Sequence, residues 1–526
     1  MSTKQKLSID QMLNLEGQKS VDRMLTGLLF FMLIFVPLLT RVAVIDFASP
    51  VISGTALDSG MKADVFTYYK FIWLQIVTGL LLLGFLYKMI AKGYVIPASY
   101  INIPLLLMFV FTSLSGMLAE NKMIAMFGQY NRHEGTLTYL IYFTLFFIAA
   151  NILYTEKRVQ MLVYATYSLL LVNVCLGIAY FYGANLLDNA FVRGLLLPSG
   201  IDQQSINGFF NSTINNPNYV SGIGGTLTVL FLAKAMFSHS VKEKVFDLLG
   251  ACFGFTLVLT SLSTSGFFTT VVMIPVLILL LAFGRRKKEG IIVLAVAALL
   301  FSSIFSILAK HNPRVWNESL GFFLGSSEKK ISMELYKEGT EEGNRVNLEQ
   351  SLFGVQVASA AADANTEDEF NLPPQQWSAG TGRTYIWSKT LELVKQHPIL
   401  GLGMDTLAYH FPQDDPYKNS GLNDANTIVD KPHNMYIGMA YGSGGIVLLA
   451  FLFMGLQHIW RNLVLIKNKI DTERTGLLAA LFAGWCAYLV QALFNDSIIG
   501  TGFIFWTLFG VGVALMRQEE REKESV

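Results

Sequence analysis

Charge is what this sequence has least of. Only 15% of its 526 residues are Asp, Glu, Lys or Arg, against about 25% in an average soluble domain. Apolar residues make up 52%, and they fall in long runs almost free of charge. The formal net charge is +1, so no basic excess points to nucleic acid. Cysteine is equally scarce. Cys175, Cys252 and Cys486 all lie in apolar runs. They cannot form a disulfide framework, have no metal-ligand spacing, and read as small buried hydrophobes. No His-x-x-x-His or Cys-x-x-Cys occurs. "QDDP" at 413–416 pairs two carboxylates, but with no second ligand cluster it reads as a solvated turn. The phosphate-cradling GxxxxGK[ST] pattern is absent, which argues against ATP-driven work. The first twenty residues are polar, and the apolar run from Met24 has no small-residue cleavage site behind it. That run is expected to be a spanning helix, not a signal peptide.

A bilayer core of roughly 30 Å takes about 20 apolar residues per helix. That ruler places twelve spans at approximately 24–42, 70–90, 102–119, 136–154, 159–182, 218–237, 245–261, 266–284, 290–308, 434–456, 475–494 and 499–516. The expected fold is therefore an all-α integral membrane protein of about twelve transmembrane helices. Continuous helices are expected, because lipid offers no partner for a free backbone group. Lys and Arg test the count. With a cytoplasmic N-terminus, the inner segments hold Lys4, Lys6, Lys19, Arg23, Lys88, Lys92, Lys157, Arg158, Lys242, Lys244, the run "RRKK" at 285–288, Arg461 and the basic tail. The short outer loops hold only Arg41, Lys62, Lys70, Lys122, Arg132 and Arg193. This asymmetry places both termini in the cytoplasm.

The chain thus divides into an N-terminal bundle (1–308), a polar extracytoplasmic loop between helices 9 and 10 (309–433), C-terminal spans (434–516) and a tail (517–526). A loop of that length usually has a function. Its middle holds the acidic stretches "TEEGNRVNLEQ" and "AADANTEDEF". Its end, "GRTYIWSKTLELVKQHPILGLG", reads as an amphipathic surface helix stopping at His397-Pro398. Within the spans, Lys88 and Lys234 sit near inner ends, where lysine can snorkel. Polar chemistry gathers instead on the outer face, at Arg132, His133, Glu134, Asn216, Asn218, Arg383, Asp405, His433 and Asp496. An ion-driven transporter usually carries charge inside the membrane.

Each candidate has an ordinary alternative. His433 opens a helix in "DKPHNMYIG" and could take a proton from a hydroxyl; otherwise it is an interfacial residue at home in both phases. Asn434 beside it could cap that helix. Arg383, in "AGTGRTYIW", could bind phosphate oxygens bidentately at a helix start, or be a solvated arginine anchored by Trp387. Arg132, in "GQYNRHEGTLTYL", could equally meet a lipid headgroup. The asparagines of "NSTINNPNYV", Asn218 among them, could bind sugar hydroxyls or build a turn. Three N-x-[ST] triplets, at Asn211, Asn317 and Asn495, are expected by chance.

"GRTYIWSKTLELVKQHPILGLGMDTLAYHF" followed by "KPHNMYIGMAYGSGGIVLLAFL" resembles the core of the O-antigen ligase and O-antigen polymerase superfamily. Arg383, Trp387, Pro398, Gly401, Gly403, His433, Asn434, Gly442 and Gly445 match its pattern. "GQYNRHEGTLTYL", "NNPNYVSG" and "YLVQALFNDSIIGTGFIFWTLFG" resemble further segments. The resemblance implies a GT-C type glycosyltransferase of the bacterial cytoplasmic membrane. Such enzymes take a glycan from a polyprenyl diphosphate carrier at the outer face. They transfer it with inversion, without metal or cofactor, to a glycan, lipid or protein hydroxyl. His433 would be the base or acceptor-positioning group, and Arg383 would meet the diphosphate. A second family arginine is expected where Ser265 stands in "LTSLSTSGFFTT"; either Arg132 or Arg193 replaces it, or the site differs from the family's. A flippase of the same lipid-linked glycan, or a sensory protein with a ligand-binding loop, are the competing readings.

Overall fold

The computed structural model describes residues 9–50, 52, 57–184, 186, 189–198, 200, 212–324, 382–415, 417–418, 422, 427–467 and 470–524. The acidic stretches of the long loop lie outside these residues. The chain is mostly helical: α1 (Ile9–Phe35), α2 (Tyr68–Lys92), α3 (Asn102–Leu118), α4 (Lys122–Phe127), α5 (Thr136–Ala150), α6 (Glu156–Ala165), α7 (Tyr167–Phe181), α8 (Ala190–Leu196), α9 (Pro217–Phe237), α10 (Val241–Thr260), α11 (Thr264–Val272), α12 (Ile274–Phe283), α13 (Lys287–His311), α14 (Arg314–Asn317) and α15 (Leu320–Leu324). After the loop come α16 (Arg383–Gln396), α17 (Leu407–His410), α18 (Met435–Ser443), α19 (Gly445–Lys467), α20 (Glu473–Gln491) and α21 (Gly502–Glu524). Among the described residues seven stretches are long and apolar enough to cross a membrane: Met12–Leu38, Tyr68–Lys92, Glu156–Phe181, Pro217–Phe237, Thr264–Phe283, Lys287–His311 and Gly445–Lys467. α3 and α5 are shorter apolar helices. This is a polytopic helical membrane protein. The remaining expected spans fall on α10, α20 and α21, which carry charge in a first or last turn.

α9 is the centre of the bundle, buried throughout its apolar window. Its small residues let neighbours approach closely. A Cβ on Gly224 would sit 2.9 Å from the Gly254 carbonyl of α10, and one on Gly225 2.6 Å from that of Gly266 on α11. Small residues at crossings are how membrane helices gain packing contact.

Three expectations are corrected. First, Lys88 and Lys234 do not snorkel. Lys88 pairs with Asp22 at 2.7 Å and Lys234 with Asp247 at 2.9 Å, all four side chains 3% exposed or less. Lys88 also donates to the Asn151 carbonyl, and Lys234 to the Tyr164 hydroxyl. These lysines face other helices, where a lone ammonium would cost several kcal/mol and a buried partner offsets that cost. Second, an antiparallel ribbon of β1 (Ala43–Phe47) and β2 (Gly60–Asp64), in register from Ala43↔Asp64 to Phe47↔Gly60, interrupts the all-α pattern. The stretch "AVIDF" is too short for a helix once Pro37 has ended the first one.

Third, the span at 434–456 is broken, at Gly444, while those at 159–182 and 266–284 run on through Thr166 and Met273 with right-handed helical backbone. The break has a clear cause. The turn at 398–403 plugs into it: Gly445 N–H donates to the Pro398 carbonyl (2.7 Å), Leu402 N–H to Tyr441 (2.9 Å) and Gly403 N–H to Gly442 (3.1 Å). Backbone groups freed by the break are thereby satisfied by the 398–403 turn, as irregular backbone at a membrane requires. Gly444 adopts φ +89° and Gly401 φ +68°. A Cβ at either would overlap a carbonyl oxygen of the facing strand of chain.

Candidate functional site

His433 sits where three elements meet. Asn434 caps α18, its Oδ1 accepting from Tyr436 and Ile437 N–H at 3.0 Å each. Its Nδ2 donates to the Leu493 carbonyl, and Met435 N–H donates to the carbonyls of Ala492 and Asn495. The start of α18 is thus fastened to the turn between α20 and α21, which carries Asp496. On the other side, the Trp387 indole of α16 donates to the Pro432 carbonyl at 2.7 Å. His433 is held between these anchors at φ +52°, a conformation that costs an L-residue about 1–3 kcal/mol. All five non-glycine residues with positive φ among those described, Asn131, His133, Leu262, Asp405 and His433, lie in the loops at this end of the bundle. Asn434→Ala removes a cap and leaves two N–H groups without it. We expect a loss of about 1 kcal/mol or more, read as a lower unfolding midpoint of the detergent-solubilised protein.

The imidazole Nδ1 lies 3.0 Å from Asp496 Oδ2, with the histidine side chain 41% exposed and the aspartate 10%. Burial alone would raise the Asp496 carboxyl. The His433 hydrogen bond and charge, with Lys431 and Arg132, outweigh it and hold the group below the usual carboxylate range. An ionised Asp496 orients Nδ1–H toward itself and leaves the Nε2 lone pair facing outward. Nε2 has no partner among the described residues.

Three cations surround this pair, in different states. Arg132 is consumed by the protein: it faces Asp405 at 3.1 Å and Asp430 at 2.5 Å. Arg383, the first residue of α16, has no hydrogen bond or ion pair among the described residues. Burial pushes its guanidinium down, and Asp496 and Tyr219 oppose this. α16 is seated by a small core of Tyr385, Ile386, Leu407, Phe411, Val429 and Tyr441. Lys431 is 7% exposed, with its Nζ 5.8 Å from the centre of the Tyr219 ring. It too lacks a hydrogen bond or ion pair among the described residues.

Its neighbour Glu134 does not neutralise it. Glu134 is 3% exposed and accepts from Tyr142 at Oε1 (2.8 Å). Its Oε2 has no partner among the described residues. Burial, opposed by Lys431, pushes this carboxyl up to about 8, so it carries its proton at neutral pH. The folded state binds that proton more tightly than the unfolded chain, whose glutamate titrates near 4.5. Stability from this group is therefore fully present below about 4.5 and is lost as pH rises through about 8. Glu134→Gln is expected to flatten that decline when unfolding is followed from pH 5 to pH 9.

The other sequence candidates divide. Asn218 lies at the same end: its Oδ1 accepts from Ser263 (2.6 Å) and its carbonyl from Ser265 and Asn495. Ser265, where an arginine was expected, is 8% exposed within this cluster of small polar groups. Arg193 lies on α8, which meets the chain before β1 through the Leu196 carbonyl and Val42 N–H; it is not among the main charges acting on Asp496. His133 is a structural anchor. Its Nδ1 meets Thr67 (2.9 Å) and Asp64 (3.2 Å), and its ring stacks on Phe71. Sequence reading missed Lys431 altogether. The signal was in view, two residues before the histidine in "DKPHN", but nothing in the string shows that this lysine is buried and unpaired among the described residues.

Residues 249–452 match the family model described as O-Antigen ligase. No significant match is found among curated proteins.

Proposed function

We propose, on the premise that residues 249–452 are an O-antigen ligase family domain, that this chain moves a glycan from a polyprenyl diphosphate carrier to an acceptor hydroxyl. One observation carries the reading. A carboxylate-oriented histidine with an open Nε2 stands beside two cations, Arg383 and Lys431, that the protein leaves unpaired among the described residues. His433 accepts the proton of the attacking hydroxyl. The hydroxyl oxygen bonds to the anomeric carbon as the bond to the diphosphate oxygen breaks, inverting that centre. Arg383 and Lys431 stabilise charge on the departing diphosphate. Lys431 takes the place of the arginine that Ser265 lacks, because Arg132 is already held by two aspartates. Asn434 and Asp496 keep His433 in position, and Asn218 faces the sugars. The Lys and Arg pattern supports twelve spans, cytoplasmic termini and a site at the outer face of a bacterial cytoplasmic membrane.

The test is transfer by the purified full chain, with a defined lipid-linked glycan and a set of glycan, lipid and peptide acceptors. Release of one polyprenyl diphosphate per glycan transferred is expected. Movement of the carrier between leaflets with no release would mean a flippase and would overturn the proposal. Lys431→Gln is expected to raise the donor KM roughly tenfold or more, the size of a lost charge-assisted contact, with acceptor KM unchanged. Unaltered donor KM would remove Lys431 from the site.

A further inference from the structure

The end of the bundle opposite His433 holds a cavity that glycan transfer does not use. α5 and α21 both start beside the site, at Thr136 and Gly502, and both reach this cavity, at Ala150 and Arg517. Fifteen residues of α5 separate the two ends by about 22 Å. The cavity is about 230 Å³ and opens to the surface, room for a lipid headgroup.

Its charge is one-sided. Lys19, Lys88, Arg517 and Arg521 line it against the single carboxylate of Asp22. Asp22 is already committed to Lys88 at the floor, and its other oxygen accepts from Leu153 N–H. Among the described residues Arg517 donates only to the Ala150 carbonyl. Lys19 and Arg521 have no hydrogen bond or ion pair among the described residues. Three cations therefore converge on the cavity with no ion pair among the described residues; Glu520, which faces Arg461, is the nearest carboxylate acting on Arg517. Its lining also includes Leu15 and Leu153, 42% and 48% exposed. A free anion gains nothing from an apolar rim, whereas an acyl chain does.

We propose that this cavity binds the phosphate headgroup of an anionic phospholipid from the leaflet at that end. The guanidiniums of Arg517 and Arg521 grip the phosphate oxygens, Lys19 adds charge at the mouth, and the acyl chains lie along Leu15 and Leu153. The bound lipid joins the ends of α1, α2, α5 and α21, helices that come from distant parts of the chain.

The full chain, purified in detergent, is titrated with phosphatidylglycerol, phosphatidylcholine or inorganic phosphate. Unfolding midpoint and lipid adducts in native mass spectra are the readouts. Phosphatidylglycerol is expected to raise the midpoint and persist as an adduct, and the other two to do neither. The double variant Lys19→Gln/Arg521→Gln changes two exposed side chains. It is expected to unfold normally without lipid and to bind phosphatidylglycerol at least tenfold more weakly. Arg461→Gln, a charge on the same end held by Glu520 at 3.1 Å, is expected to bind as the parent does. Equal affinity in the double variant, or an equal response to phosphatidylcholine, overturns the proposal. Matching stabilisation by inorganic phosphate overturns it too, since the site would then be one for a soluble anion.

Discussion

His433→Ala is expected to lower transfer by at least 10²–10⁴-fold, the range of a lost general base, with the membrane-inserted protein still folded. The fold should survive because the loop is held by its neighbours, not by the imidazole. Pro432 is fixed through Trp387, and Asn434 through α18 and Leu493. Replacing a residue at φ +52° by alanine keeps the strain without relieving or worsening it greatly. Asp496→Asn is the informative companion. An amide in that place can donate to Nδ1, which favours the tautomer with its proton on Nε2 and blocks proton acceptance there. We therefore expect Asp496→Asn to lose most of the rate while donor KM changes little. Full activity in His433→Ala, measured as polyprenyl diphosphate released by monodisperse protein, would refute the catalytic role.

Gly444→Val is expected to be the most damaging change outside the site. Gly444 combines φ +89° with a facing Ile399 carbonyl that a Cβ would overlap. Backbone at φ +89°, ψ 167° is essentially open to glycine alone and costs another residue about 1–3 kcal/mol, and forced displacement of packed backbone typically adds about 1–3 kcal/mol. A loss of about 2–6 kcal/mol follows. It should show as a sharp drop in unfolding midpoint and in monodisperse yield. The damage should reach activity in any surviving protein, because the 398–403 turn that fills the break leads back to α16 and Arg383. Gly438→Ala, within α18 just before the break and with nothing nearer than 3.4 Å to its new Cβ, is the control and should be neutral. A midpoint for Gly444→Val equal to that of the control would show that the turn is not needed to support the break.

The local structure of the candidate site could be read from the string, for a specific reason. Asn434 is a cap because a short polar side chain before an apolar run has few other uses. Arg383 is at a helix start because the apolar spacing behind it begins there. His433 stands between a proline and that cap, so its place at a helix mouth follows from local chemistry. What could not be read is which charges are already spent. Arg132 and Lys431 look alike as letters, yet Arg132 faces Asp405 and Asp430 while Lys431 faces a carboxyl that burial keeps protonated. The same holds for Lys88 and Lys234, whose partners sit on other helices.

The sequence by itself determined that this is a membrane protein of apolar helices. Those properties depend on composition, run length and residues within a few positions of one another. Only the tertiary structure decided that His433 is aimed by Asp496, that Ser265 sits among small polar groups, and that a loop turn completes a broken helix. Each of these depends on the pairing of segments far apart in sequence. Burial then sets the charge and freedom of every group that segment pairing brings together, and no local pattern encodes it.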